Sequence, residues 1–177
     1  MREHEKTAGL ADRRPEPWLR GTLPELAPVP RAVVHSLEMA AEDIAKWCGG
    51  LNREQLHARP FGLPSIAFQL RHIARSLDRF WTYADGRALS AGQLAALAGE
   101  QETGASKQEI FDEFEMSLAA ARHRLLMDSR QPLETPLKIG RKALPTTAGG
   151  LLVHMAEHTQ RHVGQAITTA KVLEHSR

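Results

Sequence analysis

Residues 154–165 read HMAEHTQRHVGQ, with His154, His158 and His162 recurring at intervals of four. Residues four apart on an α-helix lie one turn above another on the same face. The stretch otherwise reads as ordinary helix, predicted from near Thr147 to about Leu173. It therefore sets a column of imidazoles along the last helix of the chain.

Two imidazoles at i and i+4 aim at one point, the spacing that metalloprotease helices of the HExxH type also use. Histidine is the commonest metal ligand. The rise from His154 to His162 is about 12 Å, too far for both to reach one ion. Spacing alone leaves two pairs open, His154 with His158 or His158 with His162. Either pair needs a third ligand from a facing helix. That candidate is His72 in QLRHIARSLDRF, one residue before the apolar Ile73. His35 and His123 are weaker, the first beside an apolar stripe and the second within a charged RHR run. For any one of these residues taken singly, a surface or satisfied core histidine is the commoner explanation.

The rest of the chain supplies further helices. Apolar residues at Val33, Val34, Leu37, Ala40, Ala41, Ile44 and Trp47 follow Pro30 with helical spacing, and Gly49-Gly50 supplies a stop. Ser65 caps a second pattern carrying Ile66, Leu70, Ile73, Leu77, Phe80 and Trp81, ended by Asp85-Gly86. Ser90 with Gln93 is a capping-box pattern opening a short piece over 91–98, and Ser106 with Glu109 opens a long helix with Ile110, Phe114, Leu118, Ala121 and Leu125. Residues 129–146 hold Pro132, Pro136, Gly140 and Pro145 and read as a long connection. No alternating strand pattern stands out. The expectation is an all-α four-helix bundle over 31–177, preceded by an irregular Pro- and Arg-rich arm over 1–30 pinned through Trp18 and Leu19.

Bulk properties narrow the function. The 177 residues suit one domain with a real core. A net charge of +2 leaves no basic footprint for nucleic acid. One cysteine, Cys48, excludes an internal disulfide and points to a reducing, cytoplasmic setting. The N-terminus has no apolar core of a secretion signal, and no apolar run reaches membrane-spanning length.

In its second-helix stretch HIARSLDRF, its block PTTAGGLLVHMAEHTQRHVGQ and the long spacing between them, the chain resembles the DinB/YfiT-like family of metalloenzymes over roughly residues 30–173. The resemblance implies one metal ligand from the second helix and two from an HxxxH pair just before Gly-Gln: His72, His158 and His162, with Gly164-Gln165 behind them. His154 then neighbours the site without being a ligand. Many members carry HRGQ where this chain has HVGQ, so any role of that arginine is missing. The resemblance further implies a bundle of up-down-down-up topology, frequent homodimers, and nickel or zinc. Some members are thiol-dependent S-transferases or isomerases using bacillithiol, mycothiol or glutathione.

Three neutral imidazoles would leave an ion's charge uncompensated and a coordination position open, so that a bound water or thiol gives up its proton readily. Glu157 and Asp78 are the carboxylates placed to move protons, although a solvated helix charge explains each more simply. Gln165 and Arg75 are candidates to orient a small-molecule substrate, against helix packing and an exposed stem as the plainer accounts. Cys48, at a helix C-terminus whose dipole disfavours a thiolate, is rejected as a nucleophile. Lys138, Arg141 and Lys142 read as solvated loop charges. Two readings follow: a metal-dependent hydrolase or thiol S-transferase, and a non-catalytic, dimeric metal- or ligand-binding bundle.

Overall fold

The computed structural model describes residues 14–127 and 132–175. The part of the expected arm that precedes Arg14 lies outside them. The chain is mainly helical, with α1 Pro28–Cys48, α2 Arg53–His57, α3 Ile66–Ala84, α4 Ala91–Ala98, α5 Lys107–Met127 and α6 Ala148–His175. A two-stranded antiparallel sheet, β1 Pro136–Ile139 and β2 Leu144–Thr147, precedes α6.

The helix ends follow local chemistry. Ser65 accepts the backbone N–H of Phe68 at the start of α3, and Ser90 and Gln93 close a reciprocal capping box on α4. Ser106 and Glu109 do the same before α5, at 3.2 and 2.7 Å. Each such cap is worth about 0.5–2 kcal/mol. Pro28 and Pro30 stand in the first turn of α1, which opens two residues before the expected start. The short α2, capped by Asn52 and Gln55, was not anticipated.

The four long helices share one core. α1 packs on α5 and α6, and α3 packs on the same two. Most of the stripes read from sequence is what they bury: Val33, Val34, Leu37, Ala40 and Ile44 from α1; Ile66, Leu70, Ile73 and Leu77 from α3; Ile110, Phe114, Leu118, Ala121 and Leu125 from α5. Ala41, Trp47, Phe80 and Trp81 of the same stripes pack against this core only partly buried. α6 adds Leu151, Met155, Val163, Ala166 and Ala170. Polar contacts set the levels at which the helices meet. Gln160 of α6 donates to the Ser36 carbonyl at 2.8 Å, and Lys107 of α5 to the Gly49 carbonyl at 2.6 Å. Ser117 of α5 donates to the Ala74 carbonyl at 2.9 Å, and Thr169 of α6 to the Pro64 carbonyl at 3.1 Å.

Two expectations are corrected. Trp18 and Leu19 do not pin the N-terminal segment, being 59% and 57% exposed. Pro17 and Leu26 are the residues buried there, and Arg20 pairs with Glu42 of α1. The region 129–146 is not wholly loop. Its last part is the hairpin, turned at Gly140 (φ +67) and Ala143 (φ +50), with Leu137 buried on the core. Strands of four residues carrying Pro136 and Pro145 offer too short an alternation to read. The hairpin is tied to the start of α6 by the Ala148 N–H donating to the Thr135 carbonyl at 2.9 Å.

Candidate metal centre

α3 and α6 meet along a strip where both carry polar side chains in an otherwise apolar seam. On α3, Gln69, His72, Ser76 and Arg79 fall at three- and four-residue intervals, so they share a face beside the Leu70–Ile73–Leu77 stripe. On α6, His158 and His162 face them. One ring nitrogen from each of His72, His158 and His162 lies within 4.8 Å of the others. His72 Nε2 and His158 Nε2 are 3.2 Å apart. The His162 ring sits 4.4 Å from that of His72 and 4.5 Å from that of His158, centroid to centroid.

This arrangement fits a metal ion. Two nitrogens each about 2.0–2.1 Å from a shared tetrahedral ion stand roughly 3.3 Å apart, and the Nε2 pair is already at that separation. Two of the rings, His158 and His162, are also in the right protonation state. Burial, reinforced by the His162, His72 and His154 rings and by Arg161, pushes His158 down to about 3. Burial, with His72 and Arg161, takes His162 down to about 4, against a smaller opposing pull from Glu100. At neutral pH both are uncharged and have a lone pair to give.

Two of the three rings are held from behind. Glu100, on the segment after α4 and only 5% exposed, reaches Nδ1 of His72 with one oxygen at 2.7 Å and takes a hydrogen bond from Arg79 at 2.8 Å with the other. Burial on its own would raise the Glu100 carboxyl, but the hydrogen bonds and charges of His72 and Arg79 together hold it below the usual range. Ionised, it only accepts, so His72 donates from Nδ1, and in the neutral ring the lone pair is on Nε2. Gln69, fully buried, donates its amide to Gln165 Oε1 at 2.8 Å and accepts from His162 Nδ1 at 2.5 Å. That also frees Nε2 of His162. His158 differs, because its buried Nδ1 has no hydrogen-bond partner among the described residues. Between two neutral rings the hydrogen of the 3.2 Å contact then sits on His158 Nε2, and binding an ion there would move it to Nδ1. Phe68 stacks on His72 at 5.4 Å, and Phe80 meets His158 edge-on at 5.3 Å, so aromatic faces wall the group.

The other candidates lie off this point. His154 packs against Phe80 and pairs through Nδ1 with Glu157 at 2.8 Å, outside the triad. Glu157 is exposed and turned toward His154 and Arg161. Asp78 accepts from Gln93 at 2.7 Å. Arg75 is not an exposed stem: its side chain is 14% exposed and bonds Glu113 at 2.6 Å and the Ala96 carbonyl. Gln165 touches the site through Gln69. His35 is on α1 with Nδ1 3.6 Å from Glu38, and His123 is exposed. Burial pushes the Cys48 thiol up to about 12, which agrees with packing. Lys138, Arg141 and Lys142 are exposed on and around the hairpin turn.

Sequence reasoning missed Gln69, Arg79 and Glu100. The first two were within reach, three residues before and seven after His72 on the same face. Glu100, 28 residues away in an irregular segment, gave no local signal.

No helix among the described residues is long and apolar enough to cross a membrane. No curated protein matches the chain. The family model of the DinB superfamily matches residues 36–166, which include all three converging histidines and most of the four long helices. The chain belongs to the DinB superfamily.

Proposed function

We propose that this protein is a divalent-metal-dependent enzyme, a hydrolase or thiol-dependent S-transferase, whose ion is held by His72, His158 and His162. The observation that carries the reading is the meeting of three ring nitrogens within 4.8 Å, with His72 and His162 fixed so that Nε2 is free. Neutral nitrogen donors suit zinc or nickel. When bound, such an ion supplies Lewis-acid activation of a water or a low-molecular-weight thiol.

The chain's own residues do the rest. Glu100 and Gln69 orient the rings from behind, and Phe68 and Phe80 keep water from their flanks. Gln165 borders an open groove of about 540 Å³ with Leu63, Pro64, Arg161 and Thr168, two hydrogen bonds from His162. A small-molecule substrate would lie there, with Arg161 available to an anionic group. We take the setting as cytoplasmic, the assembly as a homodimer, and nucleic acid as no partner. We also read the bundle as up-down-down-up. Contacts that advance together along α1 and α6 (Ser36–Gln160, Trp47–Lys171) and along α3 and α5 (Ala74–Ser117, Asp85–Arg124) support parallel pairs. Contacts that run oppositely along α3 and α6 (Pro64–Thr169, His72–His158) support an antiparallel one.

A second reading, a non-catalytic metal- or ligand-binding bundle, has one observation in its favour. Among the described residues, the carboxylate bonded to the triad is Glu100, and both its oxygens are engaged, so no free general base stands at the ligands. A screen of thiols with electrophiles and of hydrolysable esters separates the two. Turnover that a chelator abolishes and zinc or nickel restores supports the enzyme; metal uptake without turnover supports the binding protein.

A further inference from the structure

α3 carries arginines at positions 71, 75 and 79, one per helical turn, on the side facing the connection that links α4 to α5. Arg71 donates to the Glu102 carbonyl at 3.2 Å, Arg75 to the Ala96 carbonyl, and Arg79 to the Glu100 carboxylate at 2.8 Å. Arg71 and Arg75 are themselves held by Glu113 of α5, at 3.2 and 2.6 Å. Arg79 is steadied by Ser76 at 2.8 Å. The three guanidinium groups therefore grip residues 96–102 as a ladder, and the outcome is a buried carboxylate brought to the back of His72. Helix packing alone does not require this. A buried acid is costly unless paired, and Arg79 by itself would satisfy one oxygen.

We propose that Glu100 is a positioning residue of the metal centre, set against His72 Nδ1 by the Arg71–Arg75–Arg79 ladder so that His72 Nε2 is held as a ready donor to the ion. The inference rests on the metal reading above. A carboxylate behind a ligand imidazole fixes its tautomer and orientation and raises its basicity, and loss of such a partner typically weakens metal binding about 10–100-fold.

The test uses the full chain, with zinc as the probe in competition with a chromophoric chelator. Imidazole nitrogen spectra of the metal-free protein report the His72 tautomer. The main variant joins Glu100→Met to Arg79→Met, which removes the acceptor without stranding a buried cation. Glu100→Gln keeps a neutral acceptor, and His162→Ala is the ligand control. The expected result is zinc binding weakened about 10–100-fold in the double variant, partial recovery in Glu100→Gln, and His72 no longer confined to the Nδ1–H form. Zinc affinity within twofold of wild type and an unchanged tautomer in the double variant would overturn the proposal and leave Glu100 as the counter-ion of Arg79. Should circular dichroism find the double variant unfolded, Glu100→Gln decides alone: a several-fold loss supports the role, and parity with wild type overturns it. A wild-type chain that binds no better than His162→Ala overturns the metal reading and this role together. That result is distinct from loss of the effect at Glu100 alone.

Discussion

Gln69 of α3 accepts a hydrogen bond from His162 of α6 at 2.5 Å, while its own amide donates to Gln165 at 2.8 Å. A fully buried amide spanning two helices is useful only if both its ends are satisfied, and here one end fixes the ring of a candidate ligand. Replacing Gln69 by Leu should weaken zinc or nickel binding about 10–100-fold. The stability change should stay near 1–3 kcal/mol, since the hydrogen bonds of a buried group are lost but its volume is kept. Competition titration and urea unfolding measure the two effects separately.

The ligand set makes a sharper prediction. His72→Ala, His158→Ala and His162→Ala should each abolish stoichiometric uptake of zinc or nickel, whereas His154→Ala should leave it intact. His154 belongs to the same column by sequence, but its ring is engaged with Phe80 and Glu157. Elemental analysis after dialysis against excess metal reads the outcome. Uptake lost with His154 and kept without His162 would reassign the pair.

Acid should destabilise the metal-free protein earlier than ordinary carboxylate chemistry would. His158 and His162 have folded values of about 3 and 4, below the ordinary 6.5 they regain on unfolding. Between these limits the unfolded chain binds more protons than the folded one, so stability rises with pH there. The contribution is fully present above about 6.5 and is lost as pH falls toward 4 and 3. Thermal melts of the chelated protein from pH 7 to pH 4 should fall continuously, and His158→Gln should flatten the upper part of that fall.

Core packing should be separable from the site. Phe114 is buried in the shared core, on α5 rather than on either helix of the triad. Phe114→Ala should cost about 3–5 kcal/mol, with metal affinity unchanged under conditions where the variant is folded. Denaturant titration with and without zinc reads both quantities.

The sequence carried what depends on local periodicity. The apolar stripes of α1, α3 and α5, the caps at Ser65, Ser90 and Ser106, and the column on α6 all repeat with the helix, so residue type and spacing suffice. What it did not carry depends on contacts between distant segments or on very short elements. The hairpin at Pro136–Thr147 is stabilised by its junction with α6 and by burial of Leu137, neither of which leaves a pattern in eight strand residues. The anchoring of the N-terminal segment by Pro17 and Leu26 rather than Trp18 is a matter of which side faces α1. At the site, spacing left two histidine pairs open on α6. The resemblance singled out the pair that the fold brings to His72, and Glu100 became visible only once the segment after α4 was folded back onto α3.

Side chains from α3 and α6 should hold one cation between them. Anomalous diffraction at the zinc and nickel absorption edges, on crystals grown with each metal, tests it most directly. One strong peak is expected, bonded to nitrogens of His72, His158 and His162, at about 2.0–2.1 Å for zinc. A difference map empty between those rings, or a peak bound elsewhere with the three rings turned apart, would contradict it.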